Sequence, residues 1–167
     1  MTVQSIKDIA SQLKTLNTEL QQLPGVTAPA KGEASAKFTL ELAVTNSDLL
    51  KVVSGLFSNG HHARAVEEAY KYLNNLVKRK VGETADGSPL MQSVFSAKNP
   101  KLKLNSLSNQ SENDEQTGLM NIFAGAMMGI RNPRAHEHDW EDTELHALQL
   151  LTLANYLVER VEQATKP

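Results

Sequence analysis

The sequence predicts a mainly α-helical protein: an antiparallel helical bundle preceded by a separate amphipathic helix. Three features carry that expectation. Apolar residues recur every three or four positions through most of the chain, the period of a helix with one buried face. Clusters of Gly, Pro and small polar residues punctuate those runs, as interhelical turns require. Aromatic residues make up only 5% of the 167 positions, against 40% for all apolar types. The core must therefore be built from Leu, Val, Ala and Met, and a chain of this length can bury one such core.

The elements follow in order. Val3, Ile6, Ile9, Leu13, Leu16 and Leu20 define a first helix over 1–23. Residues 24–44 read as a linker ending in an extended segment. LPGVTAPAKGEASAK is rich in Pro, Gly, Ala and Ser, and KFTLELAV (37–44) places Phe38, Leu40, Leu42 and Val44 at the strand-like period of two. The bundle is assigned to 45–167. Its first helix carries Leu49, Leu50, Val53, Leu56 and Phe57 and stops at Asn59–Gly60. Its second runs from His62 to Lys80, with Val66, Ala69, Tyr70, Leu73, Leu76 and Val77 inward. A turn over Gly82–Ser88 leads to a short helix, SPLMQSVFS, and NPKLKLNSLSNQSENDEQ reads as a polar loop. TGLMNIFAGAMMGIR returns to helix, with Leu119, Ile122, Phe123, Ala126, Met127 and Ile130 buried and Gly125 and Gly129 placed for close approach of another helix. The last helix spans Glu141 to Gln163, with Leu145, Leu148, Leu151, Ala154, Leu157, Val158 and Val161 inward and Trp140 anchoring its start.

Composition excludes several classes. The chain has no cysteine, so it has neither disulfides nor thiolate metal sites, and a reducing cytoplasm is the expected location. Residues 1–22 hold no long apolar run and no stretch approaches the roughly 20 apolar residues of a membrane span, so neither a secretory leader nor membrane association is expected. The net charge of −2 does not suit a protein that coats duplex nucleic acid. The charge is uneven, however. Eight Lys or Arg (64, 71, 78, 79, 80, 98, 101, 103) face four acids between Arg64 and Lys103, whereas Asn105–Leu145 holds eight acids and only Arg131 and Arg134. A local basic surface for a polyanion is compatible with that pattern.

The chemistry concentrates in GIRNPRAHEHDW (129–140). Pro133 is expected to end the preceding helix and turn the chain, so that Arg131 and His136 flank a sharp interhelical turn. Metal-free RNA cleavage needs a base for the 2′-hydroxyl, an acid for the leaving 5′-oxygen and a cation for the phosphorane. Histidine suits the first two tasks and arginine the third. One Arg–His pair is half of such a site, and a second copy across a two-fold axis supplies the rest. By itself the spacing also fits an arginine favoured at a helix C-terminus.

GIRNPRAH resembles the R-x4–6-H motif of the HEPN superfamily, small α-helical bundles that are often ribonucleases. GHHARAVEEAYKYLNNLVK, DGSPLMQSVFS, NPKLKL and GLMNIFAGAMMGIRNPRAHEH resemble, in order and spacing, the Ymh-type branch of that superfamily, over about Asp48 to Val161. The resemblance implies that Arg131 and His136 are the catalytic pair, with Asn132 and Arg134 assisting at the phosphate. It also implies that Glu67 and Lys71 stand for an E-x3-K pair, with Asn74 and Lys78 continuing their stripe. Four residues apart, Glu67 and Lys71 share a helix face, and as a solvated ion pair they would contribute only about a few tenths of a kcal/mol. Some relatives carry a tyrosine two residues after the motif histidine, the target of a partner nucleotidyltransferase. His138 stands there in this chain, so that scheme is not implied.

The expected activity is thus a cofactor-free endoribonuclease with RNA as substrate, a homodimer as the working unit, and an antitoxin or regulatory protein as restraint, in phage defence or a toxin–antitoxin setting. A dimeric RNA-binding or protein-interaction scaffold is the main rival. His136, Glu137, His138 and Asp139, with His61–His62, offer metal-ligand chemistry, but Arg131 and Arg134 would repel a dication and no H-E-x-x-H spacing is present.

Overall fold

The computed structural model describes Thr15 and residues 39–167. The chain divides into two compact units, Met1–Ala36 and Lys37–Pro167. The helix expected over 1–23 and the linker as far as residue 38 lie outside the described residues, Thr15 excepted, which is helical.

The second unit is a helical bundle: α1 (Ser47–Ser58), α2 (His62–Val81), α3 (Gly87–Phe95), α4 (Gln110–Ala126), a π-turn (Met127–Arg131), α5 (Asn132–His136) and α6 (Glu144–Gln163). Helix α2 is the central member and packs on α1, α6 and the π-turn, while α3 and α4 pair with each other. The core consists largely of aliphatic side chains from α2 and α6, such as Leu73, Val77, Leu151 and Leu157, all fully buried. Two aromatic contacts complete it. Phe95 stacks on Phe123 at 4.5 Å, and the Tyr70 hydroxyl donates to the Leu150 carbonyl at 3.0 Å. Local signals set the ends. Asn46 caps α1, its side chain accepting from the Leu49 N–H at 3.0 Å, and Gly82 closes α2 in the left-handed conformation that Cβ-bearing residues avoid.

Four expectations are corrected. Residues 39–43 are helical, not extended: the Val44 N–H donates to the Leu40 carbonyl at 2.8 Å. Leu40 and Val44 are buried while Leu42 is 67% exposed. Leu40 and Val44 satisfy both a period of two and an i,i+4 contact, and without a partner strand only the helix pairs its own backbone groups.

Helix α4 begins at Gln110, well inside the expected polar loop. Asn109 accepts from the Glu112 N–H at 3.0 Å, and Glu112 reaches back to the Ser108 N–H at 2.7 Å. This reciprocal capping box starts the helix with exposed polar turns that hydrophobic spacing does not register. From within α4, the buried Gln116 side chain ties down the preceding loop: it accepts from the Leu104 N–H and donates to the carbonyls of Phe95, at the end of α3, and Leu102.

Pro133 does not end the helix. The backbone stays in the right-handed helical region through Arg131 (φ −70, ψ −50) and Asn132 (φ −62, ψ −44). The Asn132 N–H donates to the Met127 carbonyl, five residues back. The widened turn relieves the proline ring, and Pro133 takes an early position in α5, where a missing N–H costs little. Arg131 and His136 therefore lie on one helical rod, and the chain reverses only after His136.

Finally, Ile122 and Leu145, expected inward, are 45% and 67% exposed, and Trp140 is 40% exposed. The buried stripe of α4 is narrower than its apolar pattern.

Candidate functional site

Helix α2 carries Glu67 and Lys71 at the expected positions. Their ion pair is 2.7 Å long, and the Glu67 side chain is 5% exposed. Arg64 adds a second contact to Glu67, also at 2.7 Å. Glu67 is therefore a buried carboxylate held between two cations, not a solvated flank. Its hydrogen bond is the main reason that the Lys71 ammonium is held above its ordinary pKa.

One turn further, the Asn74 side chain is buried and committed to the start of α3. Its Oδ1 accepts from the Gly87 N–H at 2.9 Å and its Nδ2 donates to Asp86. Gly87 has φ +64, which only glycine adopts without strain. Asp86, which the sequence reading passed over as part of a turn, gathers the cations. Lys78 Nζ lies 3.6 Å from its Oδ1 and Arg131 Nη2 lies 3.8 Å from its Oδ2. Both ion pairs are too long for good hydrogen bonds. The Arg131 Nε is buried with no hydrogen-bond partner. Arg131 and Lys78 thus share one carboxylate, loosely.

His136 belongs to a different surface. It lines an open cleft of about 720 Å³ with Met128, Asn132, Pro133, His138 and Trp140. Five residues along an α-helix amount to roughly 140° of rotation, and Arg131 does not border this cleft. Asn132 and His136 share it because they are four apart. The structure brings Asn132 to His136, and Asn74, Lys78 and Asp86 to Arg131, without joining the two groups within the chain.

Arg134 is placed otherwise than expected. Its side chain is 2% exposed and forms two hydrogen bonds to Asp142, at 2.6 and 2.7 Å, and one to the Ile130 carbonyl at 2.8 Å. Buried and charge-paired in this way, the guanidinium is not presented to RNA. It fastens the π-turn to the segment leading into α6. Asp142, also missed, is 1% exposed at its side chain and takes a further contact from His146 Nδ1 at 3.0 Å. Burial alone would raise the Asp142 carboxyl, but the hydrogen bonds and charge of Arg134 outweigh it and hold the group below the usual carboxylate range. A bidentate partner eight residues away has no helical-period signature.

The expected basic surface is partly neutralised. Beyond Arg64 and Lys71, Lys101 pairs with Glu83 at 2.7 Å. Lys80 donates to the carbonyls of Val161 and Glu162, capping the end of α6. Among the described residues, no group of three or more His, Asp or Glu side chains is arranged to hold a metal.

A family model described as "Protein of unknown function (Hypoth_ymh)" matches residues 43–161. The chain belongs to this family. The Hypoth_ymh match spans α1 to α6 and so includes Asp86, Arg131, His136 and Asp142. No curated protein and no solved structure matches this Hypoth_ymh chain. No helix among its described residues is long and apolar enough to cross a membrane.

Proposed function

We propose that the protein is a metal-independent endoribonuclease of HEPN type that works as a homodimer, in phage defence or a toxin–antitoxin setting. The observation that carries this reading is the state of Arg131. Its guanidinium is largely sheltered, makes no side-chain hydrogen bond among the described residues, and meets Asp86 only at 3.8 Å, beside Lys78. Sheltered donors without acceptors favour an anionic ligand, and arginine suits a phosphate. His136 stands five residues on, exposed in an open cleft and available for proton transfer.

A second chain supplies what one chain lacks. Ile122, Gly125, Met128 and Gly129 form an exposed stripe on the α4 rod that runs toward Asn132 and His136. A Cβ at either glycine would meet nothing within 4 Å, so that face accepts the close approach of a second helix. Two such stripes packed about a two-fold axis would bring both His136 side chains to one cleft, where one takes the 2′-hydroxyl proton and the other protonates the leaving oxygen.

The direct test is incubation of the protein with labelled single-stranded RNA in EDTA. Cleavage leaving 2′,3′-cyclic phosphate or 3′-phosphate ends is expected. Intact RNA with binding retained would favour a scaffold instead, and cleavage abolished by EDTA would point to a metal enzyme. The docking face has its own test. Met128→Glu is expected to shift the sedimenting species from dimer to monomer and to remove cleavage with it, because a charge buried in the interface is costly. An unchanged, active dimer would place the interface elsewhere.

A further inference from the structure

Trp140, the single tryptophan of the chain, borders three clefts around the junction. One contains His136, one contains His61 and His62, and one lies beside Arg64 and Arg134. The ring is tightly held. The Arg134 guanidinium sits 5.2 Å from its centroid, and that guanidinium is itself fixed by Asp142 and the Ile130 carbonyl. The indole lies close enough to the same Asp142 carboxylate to help hold it below the usual range. Despite this, 40% of the residue is exposed. The ring is braced by a cation while keeping surface open toward the cleft of His136. Using such a ring for recognition costs little additional side-chain entropy.

We propose that the open surface of Trp140 is a nucleobase subsite, on which one base of single-stranded RNA stacks beside His136. This deepens the ribonuclease reading and rests on it. A cleft of about 720 Å³ lies within the range of sites that take nucleotide-sized ligands. A stacked base is the element of RNA that an aromatic ring recognises, and only an unpaired strand can splay one out. Asn132, in the same cleft, offers both a donor and an acceptor for the edge of that base. Stacking tolerates any base, so the subsite would select for strandedness before sequence.

The tryptophan serves as its own reporter. The full-length His136→Ala chain, which prevents turnover, would be titrated with a short single-stranded oligoribonucleotide, a matched strand carrying abasic positions, and a blunt duplex. Binding would be followed by anisotropy and, with unlabelled strands, by tryptophan fluorescence. Quenching that saturates with the anisotropy curve is expected, with binding about tenfold to a hundredfold weaker for the abasic strand. Adding Trp140→Ala should weaken binding of the intact strand similarly, and Trp140→Phe should restore most of it. The abasic comparison keeps Trp140 unaltered, so it decides the matter even if Trp140→Ala unfolds. Equal affinity for intact and abasic strands without quenching would overturn the subsite and leave the ribonuclease reading standing. No binding of any strand, with RNA left uncleaved by the wild type, would overturn both.

Discussion

His136→Ala is expected to lower RNA cleavage at least about a hundredfold, the usual contribution of a general acid or base, and to do so dominantly. If one shared cleft needs a histidine from each chain, a mixed dimer is as inactive as a doubly altered one. Co-refolded with a ninefold excess of the altered chain, wild-type chains would form about 1% wild-type pairs while being about 10% of the total, so activity should drop about tenfold below simple dilution. Arg131→Ala should match the loss of activity and also weaken RNA binding, because in the proposed mechanism the guanidinium would hold phosphate before and during the reaction. The separation of the two side chains on the helical rod motivates the experiment, since Arg131 does not border the cleft that His136 lines and faces Asp86 instead. Activity that falls only in proportion to the wild-type fraction would mean that each chain acts alone and would sink the shared cleft.

Asp142→Ala is expected to be among the most destabilising single substitutions in the protein, by about 3–5 kcal/mol, because it leaves the Arg134 guanidinium buried without its counter-charge. For a domain of this size that corresponds to a fall in melting temperature of roughly 10 °C or more, readable by circular dichroism. The pH dependence has a definite sign. Asp142 is depressed in the fold relative to its ordinary value of 3.8, so its contribution is complete above that value. It is lost as pH falls below about 4 and the carboxyl takes up a proton. The wild type should lose stability in that window, and Asp142→Asn should show a flatter acid limb from a lower plateau. Replacing both partners, Arg134→Met with Asp142→Leu, should recover much of the loss, since an apolar pair leaves no orphaned charge. A melting temperature for Asp142→Ala within a degree or two of wild type would refute the role assigned to this pair.

The sequence made the long helices legible because one amphipathic face is written into local spacing. Leu49, Val53 and Phe57 on α1, and Val66, Leu73 and Val77 on α2, are buried as their period requires. The errors fall where a local rule met a longer-range one. Leu40 and Val44 fit two periods, and burial chose between them. Pro133 breaks an ideal α-helix, but the residues before it adopt a π-turn, which has no distinctive local pattern. Arg131, Asn132 and His136 stood out by residue type. Asp86 and Asp142 did not, because their partners are Arg131, 45 positions away, and Arg134, across a chain reversal. Trp140 was noticed, but exposure is a property of packing and not of spacing.

Asp86 also makes the Arg131 cluster a competitive one. Its carboxylate already occupies the space between Arg131 and Lys78, and it is delivered there by the turn that Asn74 holds. A tethered group has a high effective concentration, on the order of millimolar or above for short connections. Any free phosphate must therefore displace an internal rival that is always present. The long separations of 3.6 and 3.8 Å keep that rival weak, so an anion able to hydrogen-bond Arg131 directly has the advantage over one that brings charge alone. The site would thus favour anions that combine charge with good bonding geometry.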